Sequence, residues 1–267
     1  MRSSTQLTGL ALLDQFVSEG VTQFTSAEAA ARLGRSAAAT GNILGRLVRD
    51  GLLDRVRRGH YVIRQLGTLG TTAAAESVLL SVAAGFRNVR HRVAYRTALD
   101  QLDLLAHPSR SIQVALAKPT RSERLSGRRL TVVQEPEGAL EVGAKKQDGV
   151  LMSDLERSLL DAAARPEIVG GIAVLAEALE AASSKGVDAE KLTEYARALS
   201  WGPALRRIGS LADTLRITGL AGRLAPLTKP SSDIDLEPGH GKTSYRDTKW
   251  WVRWDQAPSE LQNVVHQ

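Results

Sequence analysis

Apolar residues near the start of the chain recur at the spacing of amphipathic helices. A first stripe, three or four positions apart, consists of Leu7, Leu10, Leu13 and Val17. This spacing predicts a helix over residues 5–17 with one buried face. Thr25 and Glu28 then match a capping box, which opens a short alanine-rich helix that Gly34 ends. We therefore expect two short helices before residue 35.

A third helix is predicted to run from a cap at Ser36 to the stop at Asp50-Gly51. Its inward positions are Thr40, Ile43, Leu44 and Leu47. A second face, at spacings of 3, 4 and 3, carries Ala39, Asn42, Arg46 and Arg49. Residues 52–56 and 60–64 alternate as strands and are joined by a basic turn at residues 57–59. Three helices followed by such a hairpin predict a winged helix-turn-helix.

Positive charge is concentrated in this same region. Residues 32–64 contain eight arginines and two acidic residues, which gives a net charge of +6, equal to that of the whole chain. Such a concentration is typical of a protein that binds a polyanion, because neutralised phosphates release counterions. A solvated basic face and a protein-docking winged helix are the alternatives to DNA binding.

The winged helix and its charge together predict DNA-binding residues. Asn42 and Arg46 have the side-chain geometry that reads adenine or guanine in the major groove. The wing arginines are expected to contact the DNA backbone and set the register. The full set of predicted DNA-binding residues is Arg35, Ala39, Asn42, Arg46, Arg49, Arg55, Arg57, Arg58 and His60.

The pattern changes after two glycines and two threonines at residues 67–71, which predict a linker. We expect a DNA-binding domain at residues 1–66 and a larger domain at residues 71–267. In the second domain, helices are predicted at residues 72–84, 92–105, 172–182, 188–199 and 203–215, and strands at residues 112–116, 130–133, 139–142 and 149–152. The predicted fold class is α+β: an N-terminal winged helix-turn-helix followed by a larger α+β domain with a small sheet among helices.

Residues 153–171 concentrate charge around a leucine run and end on two glycines. We interpret Ser153 and Glu156 as a capping box and Arg157 with Asp161 as an i,i+4 ion pair on a helix surface. Pro166 is expected to stop the helix. Glu156 and Asp161 point about 140° apart on a helix at the α-helical period, so neither paired-carboxylate catalysis nor a metal site is expected here.

Composition excludes several classes of protein. The chain of 267 residues contains no cysteine, which excludes disulfides, thiolate metal sites and a cysteine nucleophile. No run of 18 uncharged apolar residues occurs, so no transmembrane helix and no membrane partner are expected. We expect a cytoplasmic protein that is not an enzyme and that has no catalytic residues, no cofactor and no metal site.

Three further groups of residues are weighed as sites. A second cluster of possible phosphate contacts consists of Arg121, Arg124, Arg128 and Arg129. Asp233 and Asp235 resemble a metal-binding aspartate pair of nucleotidyltransferases, but no Gly-Ser turn precedes them. Three tryptophans at residues 250, 251 and 254 could stack bases, although packing of a terminal strand is favoured.

Several of these segments together resemble the AbiEi family, the antitoxin and autorepressor half of bacterial AbiE-type (type IV) toxin-antitoxin systems. The marker run is Ser-Asp-Leu-Glu-Arg-Ser-Leu-Leu-Asp at residues 153–161, followed by Arg-Pro-Glu at 165–167 and Gly-Gly at 170–171. Residues 24–62 resemble the family's winged helix, residues 198–209 its later helices, and residues 247–252 its C-terminal strand with a tryptophan.

The resemblance implies what the chain does. The winged helix would bind operator inverted repeats in double-stranded DNA of its own promoter, and thereby repress its own operon. The C-terminal domain would support DNA binding and neutralise a cognate AbiEii-like nucleotidyltransferase toxin, with direct contact to the toxin left open. The family supplies no catalytic residues. The alternatives are a ligand-gated winged-helix regulator without a toxin partner and, through Asp233 and Asp235, a metal-dependent nucleotidyltransferase.

Overall fold

The computed structural model describes residues 4–64, 78–120, 123–228, 230–239 and 241–265. Its helices are α1 (Ser4–Ser18), α2 (Ser26–Leu33), α3 (Ala37–Arg49), α4 (Val78–Gly85), α5 (Tyr95–Gln101), α6 (Leu155–Ala164), α7 (Pro166–Val169), α8 (Ile172–Ser183), α9 (Ala189–Ala198), α10 (Gly202–Thr214), α11 (Thr218–Leu224) and α12 (Pro258–Val265). Its strands are β1 (Gln23–Thr25), β2 (Leu53–Arg57), β3 (His60–Ile63), β4 (His91–Val93), β5 (Ser111–Leu116), β6 (Arg124–Leu125), β7 (Arg128–Gln134), β8 (Ala144–Gln147), β9 (Val150–Ser153), β10 (Ile234–Asp235), β11 (Tyr245–Asp247) and β12 (Val252–Trp254). None of the helices in these residues is long and apolar enough to cross a bilayer.

The chain divides into two compact units. The first comprises Met1–Val89 together with Thr120–Leu130, and the second comprises Arg90–Pro119 together with Thr131–Gln267. The linker expected at residues 67–71 lies outside the described residues. The first unit therefore takes in more of the chain than the domain expected at residues 1–66, including a segment that follows more than thirty residues later.

The first unit contains a winged helix with the predicted three helices and hairpin. The buried stripe expected on α1 was wrong in part, because Leu12, Leu13 and Phe16 are buried whereas Val17 is 56% exposed. Helices α1, α2 and α3 accompany an antiparallel sheet in the order β1-β3-β2, in which the unpredicted strand β1 comes between α1 and α2 in the chain. The predicted capping box is present, because the backbone N–H of Thr25 donates to Glu28 Oε2 at 2.6 Å and the N–H of Glu28 donates to Thr25 Oγ1 at 3.2 Å. The core stacks Phe16 on Phe24, with ring centroids 4.2 Å apart, beside buried Leu44 and Leu47.

The second unit places a sheet among helices. The strand order is β7-β5-β4-β9-β8, in which β4 and β9 are parallel while β4 and β5, and likewise β8 and β9, are antiparallel. Strand β7 begins in the first unit, where it pairs with β6. The main core includes buried Leu159, Leu160, Ile208 and Leu211 from α6 and α10. The predicted α+β class is therefore confirmed.

A small C-terminal sheet in the order β10-β12-β11 is held on α10 by two arginines. Arg206 Nε donates to the Trp250 carbonyl at 2.8 Å, and Arg207 Nε donates to the Asp235 carbonyl at 2.9 Å. Gly209 is required beside them, since a Cβ at this position would overlap the Trp250 ring. These residues of the family resemblance thus fasten the C-terminal segment to the helices.

Two secondary-structure predictions were wrong. Residues 139–142 do not form a strand, because the segment Glu137–Leu140 is a 3-10 helix that follows Pro136; a proline interrupts strand pairing here. The helix expected at residues 92–105 begins only at Tyr95, since His91–Val93 pairs with β5 and β9 as a strand. Pairing across the sheet overrides the local helical pattern there.

The interpretation of residues 153–171 needs two corrections. Asp154, and not Ser153, caps α6 by accepting the Arg157 N–H at 2.9 Å, while Ser153 ends strand β9. Arg157 and Asp161 form the expected i,i+4 pair at 2.7 Å, but both side chains are 0% exposed and do not lie on a surface. Pro166 starts α7 and Gly170 ends it with φ of 109°.

Candidate nucleic-acid interface

Helix α3 presents one face to solvent and buries the other. Ser36 caps it by accepting the Ala39 N–H, and Thr40, Ile43, Leu44 and Leu47 are buried. Asn42 and Arg49 are exposed, while Ala39 and Arg46 are half-buried at the margin of the exposed face. Arg35 is exposed immediately before the cap. The structure therefore places the predicted site residues of α3 on its exposed face or at the margin of that face.

Two glycines leave part of the exposed face of α3 without side chains. At Gly41 and Gly45, four positions apart, an added Cβ would meet nothing within 4 Å. Each glycine destabilises a helix interior by up to about 1 kcal/mol relative to alanine, and no neighbour in the described residues requires its small size. A bare backbone next to Asn42 allows another molecule to approach this helix closely.

The wing presents two of its arginines to solvent. Strands β2 and β3 pair with a bulge between Arg55 and Arg57, and Gly59 turns the chain with φ of 78°. Arg55 and Arg58 are exposed, and neither forms an ion pair with a residue that the structure describes. Their charges are available to an external anion.

Two other predicted wing residues pack against the end of α4. The Arg57 guanidinium lies 5.2 Å from the centroid of the Phe86 ring, and its Nε is buried without a hydrogen-bond partner among the described residues. Burial lowers the pKa of Arg57. His60 Nδ1 lies 3.0 Å from the Ala84 carbonyl oxygen, and burial followed by the charge of Arg57 lowers its pKa.

Sequence reasoning missed this support for the wing. Ala84 and Phe86 follow the wing by more than twenty positions, and a helical pattern alone does not say what the helix packs against. Arg57 and His60 thus have structural contacts within the first unit in addition to their predicted DNA contacts.

The second predicted cluster of phosphate contacts is partly described. Arg124, Arg128 and Arg129 are exposed, whereas Arg121 lies outside the described residues. The three arginines lie on β6 and at the start of β7, in the same compact unit as the winged helix. None of them forms an ion pair with a described residue.

The aspartate pair and two of the three tryptophans have partners or packing within the second unit. Asp233 is bound by Arg246 at 3.0 Å and Asp235 by Arg253 at 2.7 Å. Within the described ranges no group of three acidic or histidine side chains could hold a metal ion. Two of the tryptophans, Trp250 and Trp254, are 1% and 0% exposed, and the third is 38% exposed.

A buried cluster of charges in the second unit includes two residues of the marker run, Arg157 and Asp161. Arg92 contacts Glu135 at 2.8 Å and Asp161 at 2.5 Å, and Arg157 contacts the same two carboxylates at 2.9 and 2.7 Å. All four side chains are at most 5% exposed. Tyr95 donates to Glu135 at 2.9 Å, which completes a closed network.

The titration of two groups in this cluster is governed by its buried charges. Burial opposes ionisation of Asp161, but the charges of Arg92 and Arg157 outweigh it and hold the pKa of Asp161 below its usual value. Burial, together with the charges of Asp161 and Glu135, raises the pKa of Tyr95. Each of the two carboxylates in the cluster is in contact with both guanidinium groups.

Three helices, a three-stranded sheet and an exposed basic wing define a winged helix-turn-helix protein. Residues 12–64 match the family model described as "Transcriptional regulator, AbiEi antitoxin". The AbiEi resemblance inferred from the sequence is confirmed over this segment. The matched family is one of antitoxin transcriptional regulators.

The fold as a whole has a solved counterpart. A crystal structure of the RV2827C protein from Mycobacterium tuberculosis matches with a TM-score of 0.70, over 99% of this chain and 94% of that chain, at 17% sequence identity. At this identity the likeness establishes the shared fold alone. No curated protein matches the sequence.

Proposed function

We propose that the chain is an antitoxin and transcriptional autorepressor that binds operator inverted repeats through its winged helix. It would act in the cytoplasm without catalysis, cofactor or membrane. One observation carries the DNA-binding part of the proposal: α3 and the wing carry exposed arginines that form no ion pair with a described residue, inside the segment that matches a family of transcriptional regulators. Residues 1–66 would form the DNA-binding domain and residues 71–267 the antitoxin domain.

In this proposal α3 lies in the major groove. Asn42 reads bases from the centre of the exposed face, where Gly41 and Gly45 let the backbone approach. Arg46 contacts a base or a phosphate from the margin of this face. Arg35 and Arg49 contact phosphates near the two helix ends. Ala39 packs against the groove floor.

The wing would follow the DNA backbone. Arg55 and Arg58 contact phosphates directly, because both are exposed and unpaired among described residues. Arg57 and His60 would contact the same strand from the partly buried side of the wing tip. Their contacts with Phe86 and Ala84 fix the orientation of the tip before DNA binds.

The test is selection of a duplex from a randomised pool by the full-length chain. We expect one sequence to be enriched and to bind about a thousandfold or more tightly than a scrambled duplex of equal composition. The Asn42→Asp variant should lose this preference, since the new carboxylate repels phosphates and cannot donate to a base. Gln15→Glu is the matched control, because it adds the same charge at an exposed position of α1.

Either of two results would refute DNA recognition by α3. Failure of the wild-type chain to enrich any sequence removes the proposed operator binding altogether. An unchanged preference in Asn42→Asp, with the protein folded, removes α3 from the groove.

The antitoxin part of the proposal rests on the family description and has its own test. We expect the chain to neutralise a nucleotidyltransferase-like toxin encoded by an adjacent gene. Co-expression should restore growth, and Asn42→Asp should restore it equally if neutralisation does not need operator binding. Co-purification of the two proteins, scored separately, tests direct contact. Growth arrest that persists in the presence of wild-type chain would contradict neutralisation.

The ligand-gated alternative gains little support from the described cavities. A depression lined by Val187, Leu220 and Arg223 has a volume of about 180 Å³, and a neighbouring one that also includes Asp188 and Glu190 has a volume of about 290 Å³. Typical small-molecule sites have volumes of roughly 300–1,000 Å³ and several convergent polar groups. The antitoxin reading therefore remains the proposal.

A further inference from the structure

A short hairpin from the later part of the chain is built into the winged-helix unit. It consists of residues 123–130, with β6, a two-residue turn at Ser126-Gly127, and the start of β7. We name it the docked hairpin. Although it follows Val89 by more than thirty positions, it belongs to the same compact unit as α3 and the wing.

The docked hairpin is fixed to the open edge of the wing sheet. Strand β2 is an outer strand in the order β1-β3-β2, and its Val56 carbonyl accepts the Ser126 N–H at 2.7 Å. Ser126 Oγ donates to Ser81 Oγ of α4 at 2.7 Å. Leu125 is fully buried, and a Cβ at Gly85 would stand 2.5 Å from its Cδ1. The turn is thus held by backbone, hydroxyl and apolar contacts at once.

The turn itself is of a demanding kind. Ser126 has φ of 48° and Gly127 has φ of 76°, as two-residue hairpin loops require. A left-handed serine is unfavourable by about 1 kcal/mol or more. The contacts to Val56 and Ser81 offset this strain, so the hairpin tip has one defined position on the wing.

The arginines on this hairpin are placed at an electrostatic cost. Arg124 and Arg129 are direct cross-strand partners, and Arg128 pairs with Leu125 beside the turn. Like charges directly opposite one another on antiparallel strands are destabilising. All three side chains are exposed, and none forms an ion pair with a described residue. An external polyanion would relieve this repulsion.

We propose that the docked hairpin is a second wing that binds phosphates of the same DNA duplex as the first wing. The inference rests on the proposed DNA-binding function and deepens it. Val56, which holds the hairpin tip, lies between Arg55 and Arg57 on β2. The exposed arginines of the two hairpins therefore lie on either side of one backbone hydrogen bond.

Phosphate contacts of this kind add affinity without adding sequence preference. Each contact contributes about 0.9 to the slope of log affinity against log salt concentration. Loss of three contacts would lower that slope by up to about 2.7. Between roughly 50 and 200 mM salt, the ratio of wild-type to variant affinity would then change by up to about 40-fold.

The experiment measures salt slopes of the full-length chain on the selected duplex and on its scrambled counterpart. The test variant is Arg124→Gln/Arg128→Gln/Arg129→Gln. We expect a lower slope on both duplexes and an unchanged ratio of the two affinities. A charge-matched control removes three exposed basic residues of the second unit, Arg110→Gln/Lys145→Gln/Lys146→Gln, and should leave the slope unchanged.

A conservative variant separates charge from folding. Arg124 also donates to the Gly127 carbonyl at 2.9 Å, so its loss could disturb the turn. The triple Arg→Lys variant at positions 124, 128 and 129 keeps the charges and should retain the wild-type slope. If it behaves like the Gln variant, the effect is structural and the second wing is refuted.

The remaining outcomes also test the proposal. A wild-type salt slope in the Gln variant refutes the second wing and leaves DNA binding by the winged helix unaffected. An equal fall in the control triple overturns it as well, because diffuse charge would then explain the slope. If the wild-type chain selects no duplex at all, the proposed function fails before the hairpin is tested.

Discussion

Two groups of arginines in this chain have opposite surroundings. Arg92 and Arg157 in the second unit are 0% exposed, and each contacts the same two carboxylates. Arg55 and Arg58 on the wing are exposed, and no described acid pairs with them. A buried guanidinium needs acceptors that replace its water, and here these are carboxylates, whereas the charge of an exposed guanidinium stays accessible to a partner.

The comparison separates architecture from recognition. Residues 153–161 suggest chemistry because they are rich in charge, yet their charges are satisfied internally and stabilise the second unit. The wing and the docked hairpin have charges that the described structure leaves unsatisfied. An excess of unpaired charge is therefore the better indicator of a binding surface.

The largest expected effect comes from breaking the buried group. Asp161→Ala leaves Arg92 and Arg157 each without one of their carboxylates, which should lower the free energy of unfolding by about 3–5 kcal/mol. Denaturant unfolding of the full chain measures it. Asp233→Ala is the control, since its partner Arg246 is exposed and the loss should stay below about 1 kcal/mol. Equal losses of unfolding free energy in the two variants would contradict the difference between buried and exposed ion pairs.

Removing an exposed arginine should weaken DNA binding and leave stability almost unchanged. Arg58→Gln is expected to leave the free energy of unfolding within about 0.5 kcal/mol of wild type. The salt slope of DNA binding should fall by about one, with the preference for the selected duplex retained. Lys146→Gln, an exposed change in the second unit, should alter neither quantity. A destabilised Arg58→Gln variant would show that the wing charge has a structural role.

Replacing a glycine on α3 should raise the stability of the chain and weaken its binding to DNA. Gly45→Ala should raise the free energy of unfolding by up to about 1 kcal/mol, because the new Cβ meets nothing. It should weaken binding to the selected duplex, since the methyl group occupies the face that approaches DNA. Gly222→Ala on α11, equally uncrowded, should stabilise without affecting DNA binding. Improved binding by Gly45→Ala would argue against close approach at this face.

The smallest expected effect concerns pH. The pKa of His60 is lowered by burial and then by Arg57, so the unfolded chain takes up this proton at a higher pH than the folded chain. The contribution of His60 to stability is complete above the unfolded value of about 6.5 and is lost as the pH falls toward the folded pKa. His60→Gln should therefore flatten stability below pH 6.5, whereas His107→Gln, at an exposed position, should not. Parallel curves for wild type and His60→Gln would contradict this.

Local patterns in the sequence predicted the winged helix well. The capping box of Thr25 and Glu28, the cap at Ser36 and the buried face of α3 depend on residues a few positions apart. Spacing of this kind fixes the faces of a helix before any tertiary contact forms. The exposure of Asn42 and Arg49 follows from the same periodicity.

Contacts between distant segments could not be predicted in this way. The i,i+4 spacing of Arg157 and Asp161 is the same on a surface and in a core, and their other partners, Arg92 and Glu135, lie 69 and 22 positions away. The packing of residues 123–130 with the wing is likewise non-local. A single sequence contains no signal that pairs Ser126 with Val56.

The hydrogen bond between Ser126 and Val56 has a consequence for self-association. An outer strand with free backbone groups is a template on which another copy can extend the sheet, and proteins block such edges with bends and cationic side chains. Here the turn of the docked hairpin occupies the edge of β2 at Val56, and Arg124 and Arg128 lie beside that turn. Edge-to-edge joining of two copies through β2 is thereby obstructed.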